Sequence, residues 1–202
     1  MIAIIDYGMG NLRSVQKGFE YVGYRAEITN EPDKILRADK VVLPGVGAFS
    51  DAMDNLRDRG MIEVIRKITE SGRPFLGICL GMQLLMERSR EGGVFEGLGI
   101  LEGEVKRIPQ APGRKIPHMG WNELKQKKDV PLFAGLRSNP SVYFVHSYYV
   151  VARDEDAVIG TTDYGMEFTA AVRKGNAYGL QFHPEKSGDT GLQILRNFGG
   201  LA

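Results

Sequence analysis

The stretch FLGICLG, residues 75–81, carries Cys79, the only cysteine of this 202-residue chain, between two glycines. An apolar run precedes the cysteine, and a helix-like stretch, residues 82–87, follows it. One reactive residue flanked by small neighbours at a strand-to-helix turn is the pattern of a nucleophile elbow. Such a turn lifts the side chain into a cleft and points a helix N-terminus at it, which favours the thiolate. A buried, inert cysteine is the alternative for this segment alone.

Strand and helix patterns alternate along the first half of the chain. Apolar runs predict strands at residues 1–5, 26–29 and 41–43. Apolar residues at helical spacing predict helices at residues 12–22, 53–57 and 62–68. This alternation indicates a mostly parallel central sheet with flanking helices, and ligands bind such sheets at the carboxyl ends of the strands. Cys79 and the segment PGVG, residues 44–47, both follow predicted strands, so we expect them at this edge.

The second half of the chain predicts strands separated by glycines and polar turns. They cover residues 101–108, 121–125, 142–151, 157–162 and 169–173, with a final helix over 192–198. We interpret them as an antiparallel layer added to the parallel core. The overall prediction is one α/β domain over residues 1–202.

Composition excludes several classes of protein. The net charge is +1 without a long basic block, so nucleic acid is not an expected partner. A single cysteine favours a reducing compartment. The first residues predict a strand rather than a secretion signal, and no apolar stretch reaches the ~20 residues that cross a bilayer. We therefore expect a soluble, cytoplasmic protein that does not bind membranes.

His183 differs from the other two histidines by its context QFHPE, residues 181–185. It is predicted to end a strand that begins near Tyr178. In an extended chain, His183 and Glu185 leave the same face, so the carboxylate can hold the imidazole tautomer. A solvated histidine beside an acid is the alternative. None of the histidines has the spacing of a helical zinc site, and we expect no metal.

Cys79 and the His183–Glu185 pair together indicate nucleophilic catalysis more specifically than either does alone, because a thiol needs a base and the base needs an orienting acid. A thiolate that attacks an acyl carbon also needs N–H donors for the oxyanion. The Leu80 backbone N–H is one candidate, and the segment 44–47 offers another. Glycines on both sides of Val46 would let that peptide reorient, which would make the oxyanion hole switchable. A plain loop is the alternative for this segment.

The glycines of GMG, residues 8–10, follow the first strand in the manner of a dinucleotide-binding turn. Arg13 occupies the position of the third glycine, so the pattern is incomplete. We therefore expect no cofactor.

The chain resembles the class I (triad) glutamine amidotransferases over almost its whole length. The residues that carry the resemblance are GICLGMQ, 77–83, and HPE, 183–185, in that order. It implies a flavodoxin-like fold and the hydrolysis of glutamine to glutamate and ammonia. Cys79 would attack the side-chain amide, His183 would move the protons and Glu185 would orient His183.

The same resemblance implies roles for four more residues. The N–H groups of Val46 and Leu80 would form the oxyanion hole, and Gly47 and Gln83 would help hold glutamine. Most relatives carry a second glycine where Val46 stands, so this position itself distinguishes between members of the family. The glutaminase subunit of pyridoxal phosphate synthase would show a Gly-Gly-Glu-Ser-type segment there, which is absent.

Three further segments, residues 6–11, 117–122 and 143–148, narrow the resemblance to glutaminase subunits that serve a (β/α)8-barrel cyclase. A heterodimer is implied, with a docking face and gate at Asn11, Trp121, Tyr143 and Lys186. A packing role for Trp121 and a solvated charge for Lys186 are the alternatives. A glutaminase of another complex, a stand-alone thiol hydrolase and a non-catalytic subunit stay open at this point.

Overall fold

The computed structural model describes residues 1–202 and contains fourteen strands and six α-helices. The strands are β1 (Ile2–Ile5), β2 (Ala26–Thr29), β3 (Lys40–Gly45), β4 (Phe75–Cys79), β5 (Met86–Ser89), β6 (Phe95–Glu96), β7 (Leu101–Arg107), β8 (His118–Glu123), β9 (Lys125–Gln126), β10 (Ser141–His146), β11 (Tyr148–Ala152), β12 (Val158–Asp163), β13 (Glu167–Lys174) and β14 (Ala177–Leu180). The helices are α1 (Leu12–Tyr21), α2 (Pro32–Arg37), α3 (Phe49–Asp58), α4 (Met61–Glu70), α5 (Leu80–Leu84) and α6 (Gly188–Gly199). None of these helices combines the length and hydrophobicity needed to span a bilayer.

One sheet holds twelve of the strands, in the order β2-β1-β3-β4-β14-β13-β11-β7-β5-β6, with β12 paired to β13 and β9 paired to β12. The five strands from β2 to β14 are parallel, and β13, β11 and β7 continue the sheet antiparallel. Strands β8 and β10 form a separate antiparallel pair. The predicted α/β class, with a mostly parallel central sheet and added antiparallel strands, is confirmed.

The core lies on both faces of the central sheet. Alternate residues of β1 belong to two different apolar clusters, Ala3 and Ile5 to one, Ile2 and Ile4 to the other. A strand buried on both faces must be apolar at every position, which is why the parallel strands are continuous apolar runs.

Two predicted boundaries in the first half are wrong. Strand β3 does not stop before Pro44 but runs on to Gly45, which pairs with Cys79. Pro44 is tolerated because the ladder with β1 has already ended at Val42, so no donor is needed on that side. The helix predicted over residues 82–87 ends at Leu84, because the chain from Met86 onward pairs with β7.

Two boundaries in the second half are also wrong. The run 142–151 is not one strand, since the chain leaves β10 at Ser147 and enters the other sheet as β11. Strand β14 ends at Leu180, so His183 does not end a strand. Instead His183 precedes a 3₁₀ turn, Pro184–Lys186, which Pro184 starts with its fixed φ.

Candidate active site

The turn at Cys79 is strained and closely surrounded by backbone. Cys79 has a φ of 55° and a ψ of −110° between β4 and α5, a conformation that costs about 1–3 kcal/mol for a non-glycine residue. A Cβ on Gly81 would lie 1.9 Å from the carbonyl oxygen of Leu43, and one on Gly77 would lie 2.5 Å from that of Gly81. Both flanking positions therefore require glycine, and the strand-to-helix elbow is present.

Cys79 opens onto a cavity of about 320 Å³ at the carboxyl ends of β3 and β4. The cavity is lined by Val46, Gly47, Cys79, Leu80, Gln83, Glu91, Val145, His146, Ser147, Tyr148 and His183. A larger groove, of about 590 Å³, is lined mainly by residues of β11, β12 and β13 and contains neither a cysteine nor a histidine. The nucleophilic chemistry that Cys79 and His183 offer is thus confined to the smaller cavity.

His183 and Glu185 form a buried pair. Their side chains are 3% and 1% exposed, and His183 Nδ1 lies 2.8 Å from Glu185 Oε1. Because a carboxylate only accepts, Nδ1 carries the hydrogen of this bond. The other ring nitrogen, Nε2, is buried without a hydrogen bond. It is therefore free to take and return a proton.

The pKa of His183 is raised above its ordinary value by its neighbours. Burial is the largest influence and lowers the pKa, but the proximity of Cys79 and then of Glu185, which favours the charged ring, outweighs it. The site therefore favours the imidazolium, which is the form His183 reaches when it takes the thiol proton.

Ser187 fixes the backbone of His183 to β10. The His183 N–H donates to the Tyr143 carbonyl at 2.9 Å. The Ser187 hydroxyl donates to the His183 carbonyl at 2.6 Å and accepts from the Tyr143 N–H at 2.9 Å. Sequence reasoning missed Ser187, and a serine four residues after a histidine gives no signal of this role.

The residues expected to form the oxyanion hole and to contact glutamine all lie at the cavity. Val46, Leu80 and Gly47 line it, and Val46 is 44% exposed. Gly47 has a φ of +97°, which favours glycine, and a Cβ on Gly45 would lie 2.7 Å from the Tyr7 hydroxyl oxygen. The glycines on both sides of Val46 are therefore each required by the local geometry.

Gln83 also lines the cavity, but its NH₂ group is already occupied. Nε2 donates to the Tyr148 carbonyl at 3.0 Å and to Gln181 Oε1 at 3.0 Å. Only Oε1 of Gln83 is left to meet a ligand.

Glu91 is a cavity residue that sequence reasoning missed. Its carboxylate accepts a hydrogen bond from the Phe49 N–H, at the start of α3, at 3.1 Å. The pKa of Glu91 is raised, chiefly by burial, and the Phe49 hydrogen bond partly opposes this. Nothing in the sequence around Glu91 marks it, because its place depends on a contact 42 residues away.

The other two histidines are paired with each other. His118 Nδ1 lies 2.9 Å from His146 Nε2, and His146 Nδ1 lies 2.8 Å from the Tyr148 carbonyl, which only accepts. Burial is the main cause that lowers the pKa of His118 to about 4 and of His146 to about 3, so both are neutral at pH 7. His146 must then donate through Nδ1, and His118 must donate to its Nε2. No group of three or more metal-ligating side chains occurs in the structure.

Three of the four residues expected at a docking face lie together. Trp121 and Tyr143 are opposite each other in the β8–β10 pair with ring centroids 6.1 Å apart, and Lys186 Nζ lies 5.9 Å from the Tyr143 centroid. Trp121 is 58% exposed, which excludes a buried packing role. Asn11 is half-buried just before α1, a helix that contacts the Pro184–Lys186 turn. The neighbouring Met119, 61% exposed, was not singled out from the sequence.

Comparison with known proteins gives a consistent result. The family model described as "Glutamine amidotransferase class-I" matches residues 3–200. The chain is 54% identical over 200 residues to "Imidazole glycerol phosphate synthase subunit HisH" of Moorella thermoacetica, covering 99% of this chain and 94% of that protein. It is 57% identical over 206 residues to the protein of the same name from Syntrophotalea carbinolica, covering all of both chains.

Solved structures show the same fold at much lower identity. A structure described as a glutamine amidotransferase has a TM-score of 0.77 and 21% identity over the whole of both chains. The structure of PurLQS from Thermotoga maritima has a TM-score of 0.77 and 22% identity, covering 98% of this chain and 96% of that one. At these identities the likeness shows the fold alone.

Proposed function

This chain belongs to the class I glutamine amidotransferase family, and we propose on that premise that it is the glutaminase subunit of an imidazole glycerol phosphate synthase. The observation that carries the proposal is that Cys79 and His183 line the same cavity, with His183 paired to the buried Glu185. Residues 1–202 then act as one amidotransferase domain, in the cytoplasm, where a reducing environment keeps the Cys79 thiol free.

The reaction begins when His183 Nε2 takes the thiol proton and Cys79 Sγ attacks the side-chain amide carbon of glutamine. A C–S bond forms and the carbonyl electron pair moves to oxygen. The N–H groups of Val46 and Leu80 stabilise this oxyanion, and loss of one such donor typically costs about 3 kcal/mol of transition-state stabilisation. The C–N bond then breaks as the imidazolium protonates the leaving nitrogen, which gives ammonia and a glutamyl thioester.

Water completes the cycle. His183 Nε2, now neutral, takes a proton from water, and the resulting hydroxide attacks the thioester carbon. The C–S bond breaks, glutamate leaves, and His183 Nε2 returns the proton to the thiolate, which restores the thiol and the neutral imidazole. Glu185 holds the ring in one tautomer through both stages and stabilises its charged form.

The polar groups of the cavity suit the other end of glutamine. The Glu91 carboxylate is an acceptor for the α-ammonium group, and Oε1 of Gln83 is a second acceptor. Gly47 lets the ligand approach the backbone closely because it has no side chain. Together these groups would place the amide carbon over Cys79.

Ammonia that escaped into water would be protonated and lost, so a partner should cover the cavity. We propose a (β/α)8-barrel cyclase that docks on Trp121, Tyr143, Lys186 and Asn11. The first three form one cluster. Trp121 exposes a large apolar surface beside β10, the strand whose Tyr143 backbone holds His183 and Ser187. The acceptor would be phosphoribulosyl-formimino-aminoimidazole-carboxamide ribotide. The products, imidazole glycerol phosphate and aminoimidazole carboxamide ribotide, place the complex in histidine biosynthesis.

Purification of the chain from its native host should recover a barrel-type cyclase subunit.

Glutamate release by the isolated chain should be low and should rise greatly when the cyclase and an acceptor analogue are added. The physical reason is that the Val46 peptide, between two glycines, can be set in its oxyanion-binding orientation by the partner. Full glutaminase activity without the partner, or turnover of peptides or glutamyl conjugates instead of glutamine, would indicate a stand-alone thiol hydrolase.

A further inference from the structure

Two buried amides, of Gln83 and Gln181, connect the wall of the cavity to the nucleophile. The Tyr148 carbonyl only accepts, so Gln83 must turn its NH₂ group toward that oxygen. The second hydrogen of the same group is donated to Gln181 Oε1 at 3.0 Å. With its oxygen occupied, Gln181 presents its NH₂ group to its remaining neighbour. One backbone carbonyl therefore fixes the orientation of both amides.

That remaining neighbour is the sulfur of Cys79, 3.8 Å from Gln181 Nε2. Gln181 is fully buried, and its backbone N–H is held by the Ala170 carbonyl at 2.8 Å. We propose that Gln181 donates a hydrogen bond to Cys79 Sγ and so stabilises the thiolate that attacks glutamine.

Another polar group next to the sulfur, a backbone carbonyl, favours the thiol, and such a donor opposes it. The Val145 carbonyl oxygen lies 3.9 Å from Sγ and accepts from the thiol S–H. When the thiol loses its proton this bond disappears, and the carbonyl dipole then faces a negative charge. The Gln181 N–H has the opposite preference, because a donor binds the thiolate more strongly than the thiol. The Gln181 hydrogen bond thus offsets the unfavourable interaction of the Val145 carbonyl with the reactive thiolate.

The inference rests on the proposed role of Cys79 as nucleophile. The rate of alkylation by iodoacetamide measures the reactivity of that sulfur directly and does not require glutamine. In the full-length Gln181→Met variant, the midpoint of the pH–rate profile for alkylation should move up by about one pH unit. Below the midpoint, alkylation should be about tenfold slower than in the parent. With the partner present, kcat for glutamine should fall by a similar factor while KM stays unchanged.

Thr162→Val is the matched control, because Thr162 is also fully buried and its hydroxyl has no hydrogen bond, yet it does not line the cavity. It should leave the alkylation profile unchanged. If Gln181→Met does not fold, Gln83→Met removes the donor that orients the Gln181 amide and should move the midpoint the same way. An unchanged midpoint in the folded variant, or an equal shift in Thr162→Val, overturns the inference. Either result would leave the glutaminase activity itself to be judged separately by glutamate release.

Discussion

Cys79→Ala is expected to abolish glutamine-dependent synthesis by the assembled enzyme and to leave its ammonia-dependent synthesis intact. The substitution removes the only atom that can form the thioester, and no second cysteine exists in the chain. Loss of the nucleophile from a triad typically lowers kcat by about 10⁶-fold, so the glutamine-driven rate should fall below detection. Ammonia supplied from solution bypasses this subunit and needs only the intact partner.

The measurement compares the rates with glutamine and with ammonium salt, and the ammonia-dependent rate serves as the internal control for assembly. Alanine introduces no bulk at the strained turn, so the fold around Gly77 and Gly81 should be retained. Glutamine-driven turnover that survived the substitution would mean that another group attacks the amide.

Glu185→Gln is expected to lower kcat for glutamate release by at least about 10³-fold, since a comparable change in a serine-protease triad costs about 10⁴-fold. The amide no longer stabilises the imidazolium, and its NH₂ group can bind Nδ1 and force the proton onto Nε2. The carboxylate helps to raise the pKa of His183, so its removal lowers that pKa. The imidazolium should then be lost at lower pH than in the parent.

Steady-state kinetics of the complex across pH should show this as a fall in kcat with little change in KM. Glu20→Gln, an exposed carboxylate on α1, is the control and should behave like the parent. Activity of Glu185→Gln within twofold of the parent would reduce Glu185 to a structural role.

The sequence predicted those features whose cause is local. Glycines beside Cys79 are required by backbone atoms within a few ångströms, so the elbow is visible in the sequence itself. Continuous apolar runs follow from strands buried on both faces, which is why β1 and β4 were predicted well. The alternation of strand and helix then implied the parallel sheet and its ligand-binding edge.

Features that depend on distant contacts were not predictable. Gln181 is oriented by Gln83, 98 residues away, and Ser187 fixes His183 through β10, 44 residues away. The run 142–151 has a continuous strand pattern, so nothing marks Ser147 as the point where the chain changes sheets. An aromatic residue on a strand such as Trp121 can lie on either face, and only its 58% exposure shows that it occupies a surface position and not a core position.

Labelling with an electrophilic glutamine analogue tests most directly whether Cys79 is the nucleophile that attacks glutamine. In the complex with its partner, one label should attach to each chain, at Cys79, and excess glutamine should protect it. The Glu185→Gln variant should be labelled much more slowly, while iodoacetamide still reaches its sulfur. A label found on another residue, or labelling of Cys79 that glutamine does not slow, would contradict the proposed role of this cavity.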